Sequence, residues 1–470
     1  MLQASLTGRT YSHSDCTPQL GILKHTNIAF MLFIAAIMVG ASIEVFQTPS
    51  VHAQPAGSVT LASSTTTPSS GDPFQRREFV ADGRFWYFTV TSGNAGWQSC
   101  PTSAPCGSDP AQWTSQSTVH PSVGPGGLSV WYDSSSNLVF YAIGLGSPQF
   151  LYRYGTPNSD GTITWRISET GVTTTGSQDD LPYVFASSPN NVWVSVATVQ
   201  SGASRLELWH YNGIAWAKST DLVGKGMIGG VVMPLTGVQY GLVTGDVSGS
   251  GDNLVIYTTG NGGSTWTSGT TTIDFSLNEA EALGIGSTIY VAGQTPGFVD
   301  TFFSCAYPCA SPPALTALAT GLPNNDVWAT LSTDGSSDLI VAYEASQSTV
   351  DYIQSANLGA SWSSPLALSS NEVLSDSDFS GTAAPLIIGN TAIFGWTDGL
   401  ASPFATRFAE LSLSTRSSTS SSSTSTLSSS TSTSVSTSTT TTATTTIVTS
   451  TCTVTFTLSG SSIAGWRATC

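Results

Sequence analysis

The side chains in this sequence with the most chemistry to offer are carboxylates set in short polar segments. Asp179-Asp180, Asp274 with Glu279 and Glu281, Asn325-Asp326, and Asp376 with Asp378 recur along the chain, and Arg76-Arg77 form a basic pair ahead of them. Two facing carboxylates can divide acid and nucleophile roles in glycoside hydrolysis. The same groups can hold a cation, a sugar or a basic peptide, or form a solvated rim that keeps an acidic protein soluble. Arg76, Arg77, Asp180, Glu279, Asp326, Asp376 and Asp378 are therefore the candidate ligand contacts. Asp376-Ser377-Asp378 lacks the further oxygen ligands of a calcium loop, so no metal is expected, and no cofactor. The sequence holds no G-x-S-x-G elbow, H-E-x-x-H pair, P-loop or dinucleotide fingerprint, and beyond residue 53 only His120 and His210 could serve as an imidazole base. No catalytic residue is assigned.

Segments this far apart meet only if the chain brings them back to one place, and a repeat does so. Apolar, aromatic-rich runs begin at Arg84, Asn137, Asn191, Gly237, Ser287, Asp338 and Thr391, about every fifty residues. Their mix of β-branched, aromatic and small residues suits a strand covered on both faces. Each follows a polar turn such as Asp82-Gly83, Gly286-Ser287, Asp334-Gly335 or Gly389-Asn390, whose residues tolerate the positive φ of tight hairpins. A second landmark falls about midway between runs, at Trp113, Trp165, Trp216, Trp266, Leu315 and Trp362. Four short strands per period without helical periodicity describe propeller blades, which must stack around an axis to cover their faces. The expected fold is all-β: a seven-bladed β-propeller of four-stranded antiparallel blades, with six blades as the alternative. The seventh blade lacks a fourth strand of its own, so an N-terminal strand near Val59–Ala62 is expected to close the ring.

Six of the seven cysteines fall in close pairs, Cys100/Cys106, Cys305/Cys309 and Cys452/Cys470, with Cys16 outside them. Close pairs without neighbouring histidines read as disulfides in an exported chain rather than as a metal site. The similar phrases around Cys100–Cys106 and Cys305–Cys309 place them as staples of two long loops at equivalent points in the repeat. Residues 28–43 are an apolar run with Lys24 before it and Val51-His52-Ala53 after it. That pattern is a secretory signal within residues 1–53, or an uncleaved N-terminal anchor. A linker (54–73), the repeat region (74–413), a Ser/Thr-rich stalk (414–447) and a small disulfide-closed hairpin (448–470) follow. The 470 residues carry 13 Lys+Arg against 29 Asp+Glu, a formal charge of −16, which argues against a nucleic-acid partner.

Two of the Trp landmarks stand in a recognisable phrase. Ser355-Ala-Asn357-Leu-Gly359-Ala-Ser361-Trp362 and Thr259-Gly-Asn261-Gly-Gly263-Ser-Thr265-Trp266 follow S-x-D-x-G-x-T-W with conservative exchanges, and Ser159-Asp160-Gly161 with Trp165 is a looser copy. This resembles the Asp-box (BNR) repeat of sialidase-like propellers across roughly residues 74–413. In such a box the Asn side chain accepts turn N–H groups, Gly takes a conformation others avoid, and Trp packs within the blade. Asn261, Gly263, Trp266, Asn357, Gly359 and Trp362 are thus expected to be structural, on the rim away from the channel. The resemblance also implies, for an active sialidase, three arginines around the substrate carboxylate, a Tyr/Glu nucleophile pair and an acidic Asp. The nearest phrase to its F-R-I-P is Phe74-Gln75-Arg76-Arg77, which departs from it at three of four places, and Arg84, Arg153, Arg166, Arg205 and Arg407 stand in no clamp-like phrase.

The expected protein is therefore an exported, extracellular or surface-displayed monomer that binds a glycan or a surface protein. It touches the membrane only through residues 1–53 if these are retained. The alternative is an extracytoplasmic, exo-sialidase-like glycoside hydrolase with a divergent site.

Overall fold

The aromatic and β-branched runs form the second strands of seven antiparallel blades. They span Arg84–Thr91, Leu138–Gly144, Asn191–Gln200, Tyr240–Asp246, Thr288–Thr295, Leu339–Ser346 and Thr391–Asp398. The computed structural model describes residues 54–55, 57–177, 179–223, 225–246, 253–269, 273–274, 280–295, 299–311, 313–320, 328–374, 381–413, 442–448, 453–459 and 462–469. The apolar run at 28–43, Cys452 and Cys470 lie outside them. Among the described residues no helix is long and apolar enough to cross a membrane, and the helical turns are three 3₁₀ segments, at Pro73–Gln75, Pro110–Gln112 and Pro125–Gly127.

The second strands show why the blades must stack. Val139, Tyr141 and Ile143 pack with Phe79, Trp86 and Phe88 of the first blade, while Phe140 and Ala142 pack with Val184 and Val194 of the third. Leu339, Val341 and Tyr343 face the fifth blade in the same way, and Ile340 and Ala342 face the seventh. Alternation with period two puts successive side chains on opposite faces. Both faces here are apolar, each buried side chain contributing about 1.5–3 kcal/mol, so each sheet needs a neighbour on either side.

Innermost in each blade lies its first strand: Glu78–Ala81, Leu128–Asp133, Asp179–Ser188, Lys225–Pro234, Glu281–Ile285, Ala329–Thr333 and Gly381–Ala383. The seventh blade takes its outer strand from the N-terminal side, as the missing fourth strand predicted. Val59–Thr65 runs antiparallel to Phe404–Ser412, with Val59 opposite Phe408 and Thr60 opposite Arg407. Val59 and Phe408 share an apolar cluster with Phe85, Tyr87 and Ile393, so one closure joins the last blade to the first.

Arg407 cements this seam. Its guanidinium meets Asp398 at 2.5 Å and Glu372 at 3.0 Å, and Nη1 donates to Thr60 Oγ1 at 2.7 Å. Glu372 also accepts from Ser58 Oγ at 2.6 Å and from Ser369 Oγ. The network ties the sixth blade, the seventh blade and the closing strand together.

Two disulfides, Cys100–Cys106 and Cys305–Cys309, are formed. Each joins the third strand of a blade, Asn94–Pro101 or Val299–Ala306, to the loop that follows it. Residues beyond 416 form a separate unit. In it Thr453–Ser459 pairs with Ser462–Thr469, and a third strand, Thr442–Val448, drawn from the end of the Ser/Thr-rich tract, joins them.

Candidate functional site

The axis of the propeller is filled by the chain itself. After the closing strand, the segment Ser69–Glu78 turns inward and every one of its residues is buried. Its 3₁₀ turn Pro73–Gln75 touches the first strands of the second, third, fifth, sixth and seventh blades, and Phe74 abuts Gly229 of the fourth. The Gln75 amide donates to Gly126 O at 2.5 Å and Pro182 O at 3.2 Å. Ser70 hydroxyl and backbone reach Thr397 Oγ1 at 2.6 and 3.1 Å.

Arg76 and Arg77, expected at the channel mouth facing a ligand, are instead pinned inside this plug. Arg76 Nε donates to Glu281 Oε1 at 2.9 Å and Nη2 to Ala282 O at 2.5 Å. Its guanidinium lies 5.1 Å from the Trp131 ring centre and 5.6 Å from that of Tyr183, within cation–π range. Arg76 holds this position at φ +42°, a backbone region that non-glycine residues rarely occupy. Arg77 donates to Ser69 O at 2.9 Å, to Gln75 Oε1 at 3.3 Å and to Pro125 O. The Arg76 guanidinium is taken up by a carboxylate and a carbonyl, and the Nη groups of Arg77 by two carbonyls and the Gln75 amide oxygen, while Arg77 Nε has no partner among the described residues; a buried Arg without such partners would be costly.

Burial dominates the electrostatics of the plug. It lowers the Arg77 pKa to about 10 and pushes Glu78 up to about 8, the latter against the opposing pulls of the Thr382 hydroxyl, the Arg77 backbone N–H and the Arg77 charge. Glu281 is pushed up to about 7 by burial, opposed first by Arg76 and then by the Leu331 N–H at 2.7 Å. Another buried acid that sequence patterning missed is Asp300, on the third strand of the fifth blade. Burial drives its pKa well above the usual carboxylate range, with Glu344 adding to the effect, and its oxygens have no hydrogen-bond partner among the described residues. No composition or spacing signal separates Asp300 from the surface acids.

Of the other expected ligand contacts, Asp180 is exposed at the start of the third blade's first strand, and Glu279, Asp326, Asp376 and Asp378 lie outside the described residues. Asp180 helps line a cleft of about 450 Å³. Its walls are the segment entering the second blade (Ser122 to Gly127), the turn Gly144–Gly146 between that blade's second and third strands, and Asp180-Leu181. This is the face on which chain segments enter the innermost strands. Gly146 closes so near that its Cβ position would lie 3.9 Å from Asp180 Oδ1. Burial raises the Asp180 pKa, and among the described residues its carboxylate has neither a hydrogen-bond nor an ion-pair partner.

A second cleft, of about 600 Å³, lies among the turns that join first and second strands, on the opposite face, and carries Asp82 and Glu410. Asp82 accepts from Asn137 Nδ2 at 3.0 Å, and Glu410 accepts from the Gly107 backbone. The acids of that cleft are thus already engaged.

The box-like turns lie between third and fourth strands and share one wiring. Asn261 Oδ1 accepts from Thr259 Oγ1 at 2.8 Å and Thr265 N at 3.0 Å; Asn357 Oδ1 accepts from Ser355 Oγ and Ser361 N, both at 2.9 Å. Gly263 N and Gly359 N donate to the same Thr259 and Ser355 hydroxyls. Both glycines have positive φ, +84° and +86°, and a Cβ there would sit 2.1 Å from Trp193 or 2.2 Å from Phe302 of the preceding blade. Trp266 meets Trp193 and Trp362 meets Phe302 edge-on, so each turn locks its blade to the one before.

A Tyr–Glu pair does exist, away from the axis. Tyr141 OH donates to Glu169 Oε2 at 2.6 Å, and Glu169 Oε1 meets His120 Nδ1 at 3.0 Å. Burial is the first cause raising the Tyr141 pKa, and Glu169 adds to it, so the phenol stays protonated and is a poor nucleophile.

No family model and no curated protein matches the chain. Solved structures of similar fold include the polysaccharide lyase Uly1, with TM-score 0.46 and 10% identity over 73% of this chain and 90% of that one. An oligogalacturonate lyase in complex with manganese gives 0.45 and 9% over 77% and 98%. The phage phi92 endosialidase gives 0.41 and 9% over 77% and 69%. At these values the likeness is one of fold alone.

Proposed function

We propose that this chain is an exported, surface-displayed propeller of the Asp-box, sialidase-like kind, and that it binds a glycan or a surface protein on the face where segments enter the innermost strands. The observation that carries this reading is the plugged axis. An exo-sialidase-like site needs free arginines and a reactive Tyr–Glu pair in one open central pocket, whereas Arg76 and Arg77 are bonded within Ser69–Glu78 and Tyr141–Glu169 lies elsewhere. The repeated wiring of Asn261 and Asn357 supports the Asp-box assignment and a structural role for those turns. The two disulfides support an oxidising compartment, and the apolar run at 28–43 with the Ser/Thr tract would deliver the domain and hold it outward. The excess of acids supports a partner other than nucleic acid.

The test pairs two assays on the full-length chain: a panel of fluorogenic glycosides and a glycan array with surface-protein preparations. Saturable binding without turnover is expected. Glycoside turnover that disappears on substitution of a single carboxylate refutes the binding reading in favour of the hydrolase.

A further inference from the structure

The cleft beside Asp180 carries enough geometry to name a ligand class, given the glycan-binding reading on which that class rests. We infer that the cleft takes a saccharide bearing a free, positively charged amine, with Asp180 as its counter-ion. Three observations converge. The volume of about 450 Å³ falls within the roughly 300–1,000 Å³ usual for small-ligand pockets. The floor is peptide backbone: Gly124, Gly126, Gly127, Gly144 and Gly146 present no side chains, so a flat ring can approach the peptide planes closely. Leu145 and Leu181 offer the apolar contact that the C–H face of a sugar seeks.

Charge then selects among sugars. Among the described residues Asp180 is the one ionisable side chain lining the cleft, and unlike Asp82 and Glu410 on the opposite face it has no partner among them. An unpaired carboxylate gains from a nearby cation and repels an anion. Repulsion from the protein's formal charge of −16 adds to this at low salt. Sialic and uronic acids are thereby disfavoured, neutral sugars leave the charge unanswered, and a 2-amino-2-deoxyhexose answers it. A single carboxylate matches one amine per subsite; a lysine-rich peptide would call for several acids, and the described lining of this cleft holds one.

The experiment is titration calorimetry of the full-length chain with glucosamine oligomers, N-acetylglucosamine oligomers, cello-oligosaccharides and a lysine-rich peptide. Glucosamine oligomers should bind at least tenfold more tightly than their acetylated forms. Asp180→Asn should abolish that preference without moving the thermal midpoint, and 0.5 M salt should narrow it, since a charge pair open to solvent is screened. Equal or tighter binding of acetylated or neutral oligomers, or a preference untouched by Asp180→Asn, overturns the amine assignment while leaving a glycan-binding module. Tighter binding of the lysine-rich peptide overturns the saccharide assignment. No binding to any member of a broad glycan array, with surface proteins also inert, removes the parent reading as well.

Discussion

Replacing Arg76 by methionine tests whether the axial plug holds the blades together. The change keeps much of the side-chain volume but removes the donors to Glu281 and Ala282 and the cation over Trp131 and Tyr183. Side-chain exposure is 2% for Arg76 and 0% for Glu281, so the stranded carboxylate cannot turn to water. Breaking a buried pair from one side costs about 3–5 kcal/mol. Glu281 relieves part of that by taking up a proton, because burial already pushes its pKa up to about 7. A net loss of about 2–4 kcal/mol at neutral pH remains. At about 2 °C per kcal/mol for a domain of this size, the midpoint falls by about 4–8 °C. Thermal unfolding of the full-length chain, followed by tryptophan fluorescence, reads it directly. Arg76→Met combined with Glu281→Gln should recover most of the loss, since the amide is neutral and its carbonyl can still accept from Leu331 N. A single variant within about 1 °C of the parent, or a double variant no more stable than the single, would refute the plug as a structural rivet.

Two further outcomes follow from the same geometry. Glu78 and Glu281 have folded pKa values raised to about 8 and about 7 from 4.5, so between those limits the folded state binds more protons than the unfolded one. Their stabilisation is complete below about pH 4.5 and is lost as pH rises through 7 and 8, so urea midpoints should fall from about pH 5 to pH 8.5; Glu78→Gln should flatten the upper part of that slope, and an unchanged slope would contradict the burial argument. Gly263→Ala meets both a positive φ and Trp193 at 2.1 Å, whereas Gly262→Ala meets a positive φ and open space. Denaturation midpoints should therefore place Gly262→Ala about 1–2 kcal/mol below the parent and Gly263→Ala at least another 1–3 below that; equal losses would mean that the box turn does not lock its blade to the preceding one.

The seam at Arg407 shows where local pattern ends and assembly begins. That the seventh blade lacks a fourth strand is visible in the run from Thr391 to Leu413, and Val59–Ala62 is the nearest free apolar alternation able to supply it. That Arg407 would gather Glu372 and Thr60 beside its hairpin neighbour Asp398 is not visible, because Glu372 and Thr60 reach it only once the sixth blade and the closing strand lie against the seventh blade.

The strands, their turns, the period of about fifty residues and the pairing within Cys100–Cys106 and Cys305–Cys309 were determined by the sequence alone, since each depends on residues a few positions apart or on a repeated one-dimensional pattern. How far a side chain lies from the axis was decided only by the tertiary structure. Arg76 and Arg77 read as a basic pair able to greet a ligand, and ring closure carried them into the centre. Asp180 reads like any other rim acid, and the meeting of the second and third blades set it in a glycine-floored cleft. Radial position is set by how many sheets close the circle and what fills its middle, and no window of neighbouring residues contains that quantity.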